Sequence, residues 1–324
     1  MSLTTRHQVD LSIIVVAYGI QKIVEECFTA VSNSTDTLNK EIIYVDNGST
    51  DDSVEMVKEK FPEVIIIESQ VNLGFTRANN LAYTRATGKY ILMLNADAFV
   101  GIETLTRSYD FMEEHPDCGV LGARLVGKDG KLQPSARYFP TPMRLFLVKI
   151  GSVNNNISFL TGIDNQQQDH THQIECDWVP GCYLLTRKKI IDSLNFFLRH
   201  DFFMYFDDAD ICLRIKRQGW KVFFYPLEVI HLGGANSEKI AKVTEKGRQI
   251  VKFNLESEYI YFRQNYNLFY VLLDFFLIQV FAFFQVLKKI FLFKKNINLS
   301  ETLKSVITAT SILIKTRFGK KSIH

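Results

Sequence analysis

Four apolar runs in the first hundred residues set the terms for the fold: "LSIIVVA" (11–17), "EIIYVD" (41–46), "VIIIE" (64–68) and "YILMLN" (90–95). Short runs without polar alternation form strands buried on both faces. Helical patterns lie between them. In "STDDSVEMVKEKFP", Val54, Val57 and Phe61 recur at helical spacing, acids crowd the first turn, and Pro62 follows the end. "NLGFTRANNLAYTRATG" predicts a second helix closing at Gly88. Strands that alternate with helices predict an α/β fold whose parallel sheet is covered on both faces. Ligands bind beyond the carboxyl ends of such strands. That rule puts Asp46, Asn47, Asn95 and Asp97 on one rim.

The rim lacks the usual phosphate loops. "VVAYGIQK" carries one glycine, no GxGxxG follows the first strand, and no GxxxxGK[ST] occurs. A dinucleotide-linked dehydrogenase and a P-loop NTPase are therefore disfavoured. A bound phosphate would need something other than a glycine cradle to neutralise it, and a divalent metal held by carboxylates can do this, since Mg²⁺ and Mn²⁺ take oxygen ligands and often bridge substrate phosphates. A net charge of +3 over 324 residues offers no case for nucleic acid. The five cysteines are scattered without a CxxC pair, which predicts buried, reduced thiols. The N-terminal "MSLTTRHQVD" has no apolar signal-peptide core, so the expected location is cytoplasmic.

A family resemblance rests on six blocks in order: "VDNGSTDDS", "NLGFTRANN", "LNADA", "DGKLQPSARYFP", "CDWVPGCYLLTRK" and "FFMYFDDADICLRIKRQGWKVFFYPLEVIHLGG". Together they resemble a bacterial family 2 glycosyltransferase, and more narrowly the rhamnosyltransferase and galactofuranosyltransferase branch, from about residue 11 to 234. The resemblance implies a GT-A fold, a Rossmann-like and mostly parallel sheet flanked by helices. After an N-terminal tail (1–10), the catalytic domain would span 11–235, with a nucleotide half to about 125 and an acceptor half from about 126.

The same resemblance assigns roles. "LNADA" sits at the family's DxD-type motif, with Asn95 in place of the first acid. Asp97 would then hold Mn²⁺ or Mg²⁺ on the diphosphate of a nucleotide sugar, and His231 would complete the metal site. Read without the family, Asn95 and Asp97 make a turn after a strand, and a lone histidine is a structural residue. Asp46 would accept from the N3–H of uracil or thymine; its plainer use is a turn cap shared with Asn47. Asn72 and Asn79 are candidate nucleotide contacts or a helix cap. In "KLQPSARYFP", which carries Gln133, Ser135 and Arg137, the arginine would offer a fork to the leaving diphosphate or lie on the surface. Trp178 and Gly181 match a block on the acceptor side, although a core tryptophan fits as well.

"MYFDDADICLRIKRQGW" carries the expected chemistry. The family has paired acids where Asp207 and Asp208 stand, and the second is the catalytic base, with Asp207 as the alternative. Adjacent carboxylates raise one another's pKa. Acids also favour a helix N-terminus, and that reading suits Asp210, four residues before Arg214. One departure stands out: Leu198, Arg199 and His200 replace the Phe-Asp-Glu that the family has before "FFMY", which puts the acceptor contacts in doubt. The polar stretch 151–173 predicts a long loop with solvated His170 and His172.

Residues 236–324 predict a helical, membrane-associating region. "LFYVLLDFFLIQVFAFFQVL" (268–287) has the length of a bilayer span. Asp274 and two glutamines interrupt it and lysines follow, a pattern that favours lying in the interface. The whole chain thus reads as an inverting, metal-dependent transferase. It would move a sugar, rhamnose favoured, from a dTDP- or UDP-linked donor to a lipid-linked or polysaccharide acceptor at the cytoplasmic face of the membrane. Two alternatives are a non-catalytic nucleotide-sugar-binding member of the same fold and a nucleotidyltransferase.

Overall fold

The computed structural model describes residues 9–34, 37–151, 162–164, 170–233, 248–292 and 299–324. The first strands and helices run β1 (Leu11–Ala17), α1 (Gln21–Ser32), β2 (Lys40–Asp46), α2 (Ser53–Lys60), β3 (Ile65–Glu68), α3 (Phe75–Tyr83), β4 (Tyr90–Asn95), β5 (Ala98–Val100) and α4 (Thr104–Glu114). There follow β6 (Cys118–Val126), β7 (Leu132–Gln133), α5 (Pro142–Ile150), β8 (Ile174–Cys176), β9 (Tyr183–Arg187), α6 (Lys188–Ser193), α7 (Asp207–Arg217) and β10 (Lys221–His231). Three helices close the described chain: α8 (Arg248–Asn265), α9 (Leu268–Leu292) and α10 (Leu299–Lys315).

One sheet holds all the strands, with β3-β2-β1-β4-β9-β6-β10-β5 as its main path. The four strands predicted from the apolar runs are parallel to one another. Beyond β4 the sheet turns mixed, because β9 inserts antiparallel between β4 and β6. Along each strand successive side chains alternate between faces. Ile14, Val16, Ile43, Val45, Ile91 and Met93 enter one core with residues of α3, α7 and α8. Ile13, Val15, Ile42, Tyr44, Leu92 and Leu94 enter the other with residues of α1, α2 and α4. Both faces are therefore covered.

Two details differ from the sequence reading. The helix expected to close at Gly88 ends at Tyr83. Gly88 instead lies against β1, where a Cβ would come 2.5 Å from the Ser12 backbone nitrogen, and its amide donates to Ser12 Oγ at 2.8 Å. His170, expected in solvent, is fully buried. Its Nε2 accepts from the amides of Ser135 (3.4 Å) and Ala136 (3.3 Å). Those amides belong to extended chain that lacks a full strand partner, and buried backbone donors need acceptors. His172 is exposed as expected, and much of the 151–173 loop lies outside the described residues.

The C-terminal helices join the sheet's own core. Tyr259, Ile260, Tyr261 and Phe262 of α8, Val271 of α9, and Ile312 and Leu313 of α10 are buried in the same cluster as Ile14 and Met93. Helix α9 turns Asp274 inward, where it is 1% exposed. Glu258 of α8 lies beside it, and Lys149 of α5 reaches Glu258 Oε1 at 3.6 Å.

Candidate active site

A cleft of about 270 Å³ opens at the carboxyl ends of β1 and β4. Val16 and Asn95, paired in the β1–β4 register, form its floor. Asp97, Gly181, Asp207, Asp208 and His231 all line it. Residues scattered from Val16 to His231 thus meet in one cavity at the strand ends.

Strand pairing brings Asp97 and His231 together. The chain turns sharply after β4, and β5 then runs antiparallel to the end of β10, with His231 opposite Ala98. The Leu232 amide donates to the Asp97 carbonyl at 3.0 Å. As a result His231 Nε2 and Asp97 Oδ1 face each other at 3.5 Å. The other ring nitrogen, Nδ1, lies 2.8 Å from Gln133 Oε1. Two electron-pair donors that converge in this way suit a cation between them, and the nitrogen–oxygen pair fits Mn²⁺ better than Mg²⁺. Among the described residues no third His, Cys, Asp or Glu joins them. Water or the oxygens of a bound ligand would complete the shell of such a cation.

The acid pair opens α7. Tyr205 (φ 70°) and Phe206 (φ 61°) precede it in the left-handed region, which bulky residues rarely adopt. Each such residue costs on the order of 1–3 kcal/mol and persists only where the surroundings over-determine it. Here Phe203 O accepts from the Phe75 amide at 2.7 Å, Met204 O accepts from Ser257 Oγ of α8 at 2.7 Å, and the Phe206 ring lies 5.4 Å from that of Tyr261. The kinked segment delivers both carboxylates into the cleft. Asp208 Oδ2 accepts from the Gly181 amide at 3.1 Å, and Oδ1 accepts from the Ala209 amide at 2.9 Å.

Burial raises both carboxyl pKa values above the ordinary range. For Asp207 the neighbouring charge of Asp208 adds to burial, and the shift is large. For Asp208 the two amides and the charge of Arg137 pull the other way. Of the two, Asp208 is the carboxylate built to ionise first. Cys182 in the cleft wall stays a thiol, because burial and then the charges of Asp97 and Asp208 push it up. It is a poor candidate nucleophile.

Asp210 does something different. It is fully buried, with Oδ1 accepting from Arg199 Nε and Asn265 Nδ2 and Oδ2 from Arg214 Nε, each at 2.7 Å. The departure at Leu198–His200 thus supplies a partner for Asp210 through Arg199, while Leu198 packs in the core.

The remaining candidates sit around the cleft without lining it. Asp46, the buried last residue of β2, accepts from the Ser49 amide at 3.1 Å and the Tyr44 hydroxyl at 3.3 Å. Asn72 Oδ1 accepts from the Gly74 amide at 2.9 Å. Asn79 is 2% exposed, and its side-chain amide donates to Phe75 O. Arg137 pairs with Asp164 at 3.3 Å and lies over the Trp178 ring. Trp178 itself is a core residue whose Nε1 donates to Tyr138 O at 2.9 Å. Phe75, Met204 and Tyr205 line the cleft and were not singled out from the sequence. "FFMY" belongs to one of the six blocks, but nothing in its composition announces the kink.

Residues 12–214 match the family described as Glycosyl transferase family 2. A poly(ribitol-phosphate) beta-glucosyltransferase of Bacillus spizizenii is 35% identical over 136 residues, 40% of this chain but only 21% of that protein. An N-acetylglucosaminyl-diphospho-decaprenol L-rhamnosyltransferase of Mycobacterium tuberculosis is 24% identical over 233 residues, covering 68% of this chain and 75% of that one. Among solved structures, Staphylococcus aureus TarS 1–349 superposes with a TM-score of 0.52 at 15% identity, over 96% of this chain and 92% of that one. The mannosyltransferase PcManGT of Pyrobaculum calidifontis, solved with GDP-Man and Mn²⁺, gives 0.51 at 14% identity, over 98% and 89%. These two superpositions establish the fold. The family match covers well over half of the sequence and contains the strand-end rim and the acid pair, so the chain belongs to glycosyl transferase family 2 and is a glycosyltransferase.

Proposed function

We propose that this enzyme transfers a sugar, rhamnose favoured, from a dTDP- or UDP-linked donor to a hydroxyl of a lipid-linked or polysaccharide acceptor, with inversion at the anomeric carbon. The observation that carries the reading is that Asp208 lines one small cleft together with Asp97 and His231. In this reading Asp97 and His231 serve the leaving diphosphate and Asp208 serves the acceptor. The preference for rhamnose and for a lipid-linked acceptor draws on the mycobacterial relative, whose name describes that transfer.

Asp208 takes the proton of the acceptor hydroxyl. The freed oxygen attacks the anomeric carbon as the bond to the nucleoside diphosphate breaks on the opposite face, and that bond's electron pair leaves with the diphosphate. The amides of Gly181 and Ala209 aim the carboxylate, and its raised pKa makes it a better base. Asp97 and His231 would hold a divalent cation, which offsets the charge that grows on the leaving diphosphate.

Membrane attachment belongs to the same proposal. The stretch Leu268–Lys288 has a mean hydropathy of 2.0 and the length of a span. Its polar side is nonetheless committed to the protein through Asp274, while Phe269, Leu272, Phe276 and Phe283 stay exposed. Leu303, Ile307 and Ile314 of α10 add a second exposed apolar row. Such a surface suits the acyl boundary of a leaflet, with the following lysines on lipid phosphates.

The deciding experiment is a thermal-shift panel of UDP-, dTDP-, GDP- and CDP-sugars with and without Mn²⁺, followed by transfer to a lipid-diphosphate glycan. Stabilisation by dTDP- or UDP-sugars that needs Mn²⁺, and a product of inverted configuration by NMR, support the proposal. Binding of the donor without any transfer would turn the chain into a non-catalytic nucleotide-sugar-binding protein.

A further inference from the structure

We infer that Gln133 is a positioning residue that locks His231 in one tautomer and so readies it for a cation. The inference rests on the proposed use of Asp97 and His231 as a cation-holding pair. Gln133 ends β7, a two-residue strand paired to β6, and reaches the last residue of β10 from there. Its side chain makes two contacts with the same residue. Nε2 donates to the His231 backbone carbonyl at 2.9 Å, and Oε1 lies 2.8 Å from His231 Nδ1.

These two contacts fix the proton. A backbone carbonyl only accepts, so the amide must turn its NH₂ toward it. The amide oxygen then faces Nδ1, and an oxygen that only accepts requires Nδ1 to carry the hydrogen. In the neutral ring the lone pair must consequently sit on Nε2, the atom that faces Asp97 Oδ1 at 3.5 Å. Free histidine side chains in water favour the opposite tautomer, with the hydrogen on Nε2. Gln133 thus reverses an intrinsic preference and fixes the ring's rotation at the same time. Partners of this kind on metal-binding histidines typically change metal affinity 10–100-fold when removed.

The test has two parts. In protein labelled with ¹⁵N in the histidine rings, long-range ¹H–¹⁵N spectra of neutral His231, assigned by its loss in His231→Ala, should show the hydrogen on Nδ1. In Gln133→Leu it should move toward Nε2. A wild-type ring protonated on Nε2 overturns the inference, and this holds whether or not the variant folds. In the second part, Mn²⁺ binding is titrated in the presence of UDP. Gln133→Leu should weaken it about 10–100-fold and leave UDP binding without metal unchanged. Added to His231→Ala, the same substitution should cost nothing more. A loss that adds fully to that of His231→Ala overturns the inference, since Gln133 would then act without the histidine. If His231→Ala leaves Mn²⁺ binding intact, the cation-holding reading fails instead, and the ring spectra still judge the lock.

Discussion

The side-chain amide of Asn265 donates to Asp210 Oδ1 at 2.7 Å, joining the end of α8 to the helix that carries the acid pair. Asp210 also receives Arg199 and Arg214, so one buried carboxylate holds three elements. Removing one partner of a buried ion pair costs about 3–5 kcal/mol, because the charges left behind have lost their compensation. Asp210→Ala should therefore lower the unfolding free energy in urea by about that amount. A change below about 1 kcal/mol would show that the network adds nothing net.

Asp208→Asn keeps the size of the side chain and removes the base. Transfer should fall on the order of 10²–10⁴-fold, while the affinity for the nucleotide sugar stays near wild type. Near-normal turnover would move the role of base to Asp207, which Asp207→Asn would then reveal.

Asp274 makes stability depend on pH. Burial, and then Glu258, hold its carboxyl well above the ordinary range. In the unfolded chain the proton leaves near pH 3.9. From there up to the raised folded value the native state binds more protons, so stability declines as pH rises through that window. Asp274→Asn removes the decline. Melting temperatures from pH 5 to 8 should fall less steeply in the variant than in wild type, and parallel curves would contradict this.

Surface attachment predicts release of the enzyme from native membranes by high salt and alkaline carbonate. Lysine contacts with lipid phosphates would be screened by salt. A true span would place Asp274 in the bilayer at a cost of about 2.5–3.5 kcal/mol. Retention until detergent is added would establish the span. Phe276→Ser with Leu303→Ser should weaken binding to anionic vesicles while leaving transfer to a soluble acceptor intact.

How much of this was written in the sequence depends on the range of the signal. The parallel strands β1 to β4 and the rim at Asn95 and Asp97 follow from local apolar runs and the strand-end rule. The acid pair and His231 were legible only through their motif blocks, since adjacent acids and single histidines have common structural uses. Gln133 stands in one of the blocks, but its partner lies 98 residues away and no local pattern links them. Trp178 shows the opposite case: its motif pointed to the cleft, and packing took it into the core. The left-handed Tyr205 and Phe206 left no trace at all, because their backbone is imposed by contacts from α3 and α8.

Those contacts bear on any attempt to make the enzyme easier to handle. A common route to a soluble transferase is to trim away its greasy end and keep the catalytic part. Here that end carries Ser257 and Tyr261, which brace Met204 and Phe206, and Phe253, whose ring stacks on Phe203 at 4.6 Å. A chain cut before α8 would let the kink ahead of Asp207 relax into ordinary backbone and swing both carboxylates off target. Solubility is better sought by recolouring the outward faces of α9 and α10 with polar side chains, leaving the brace beneath them untouched.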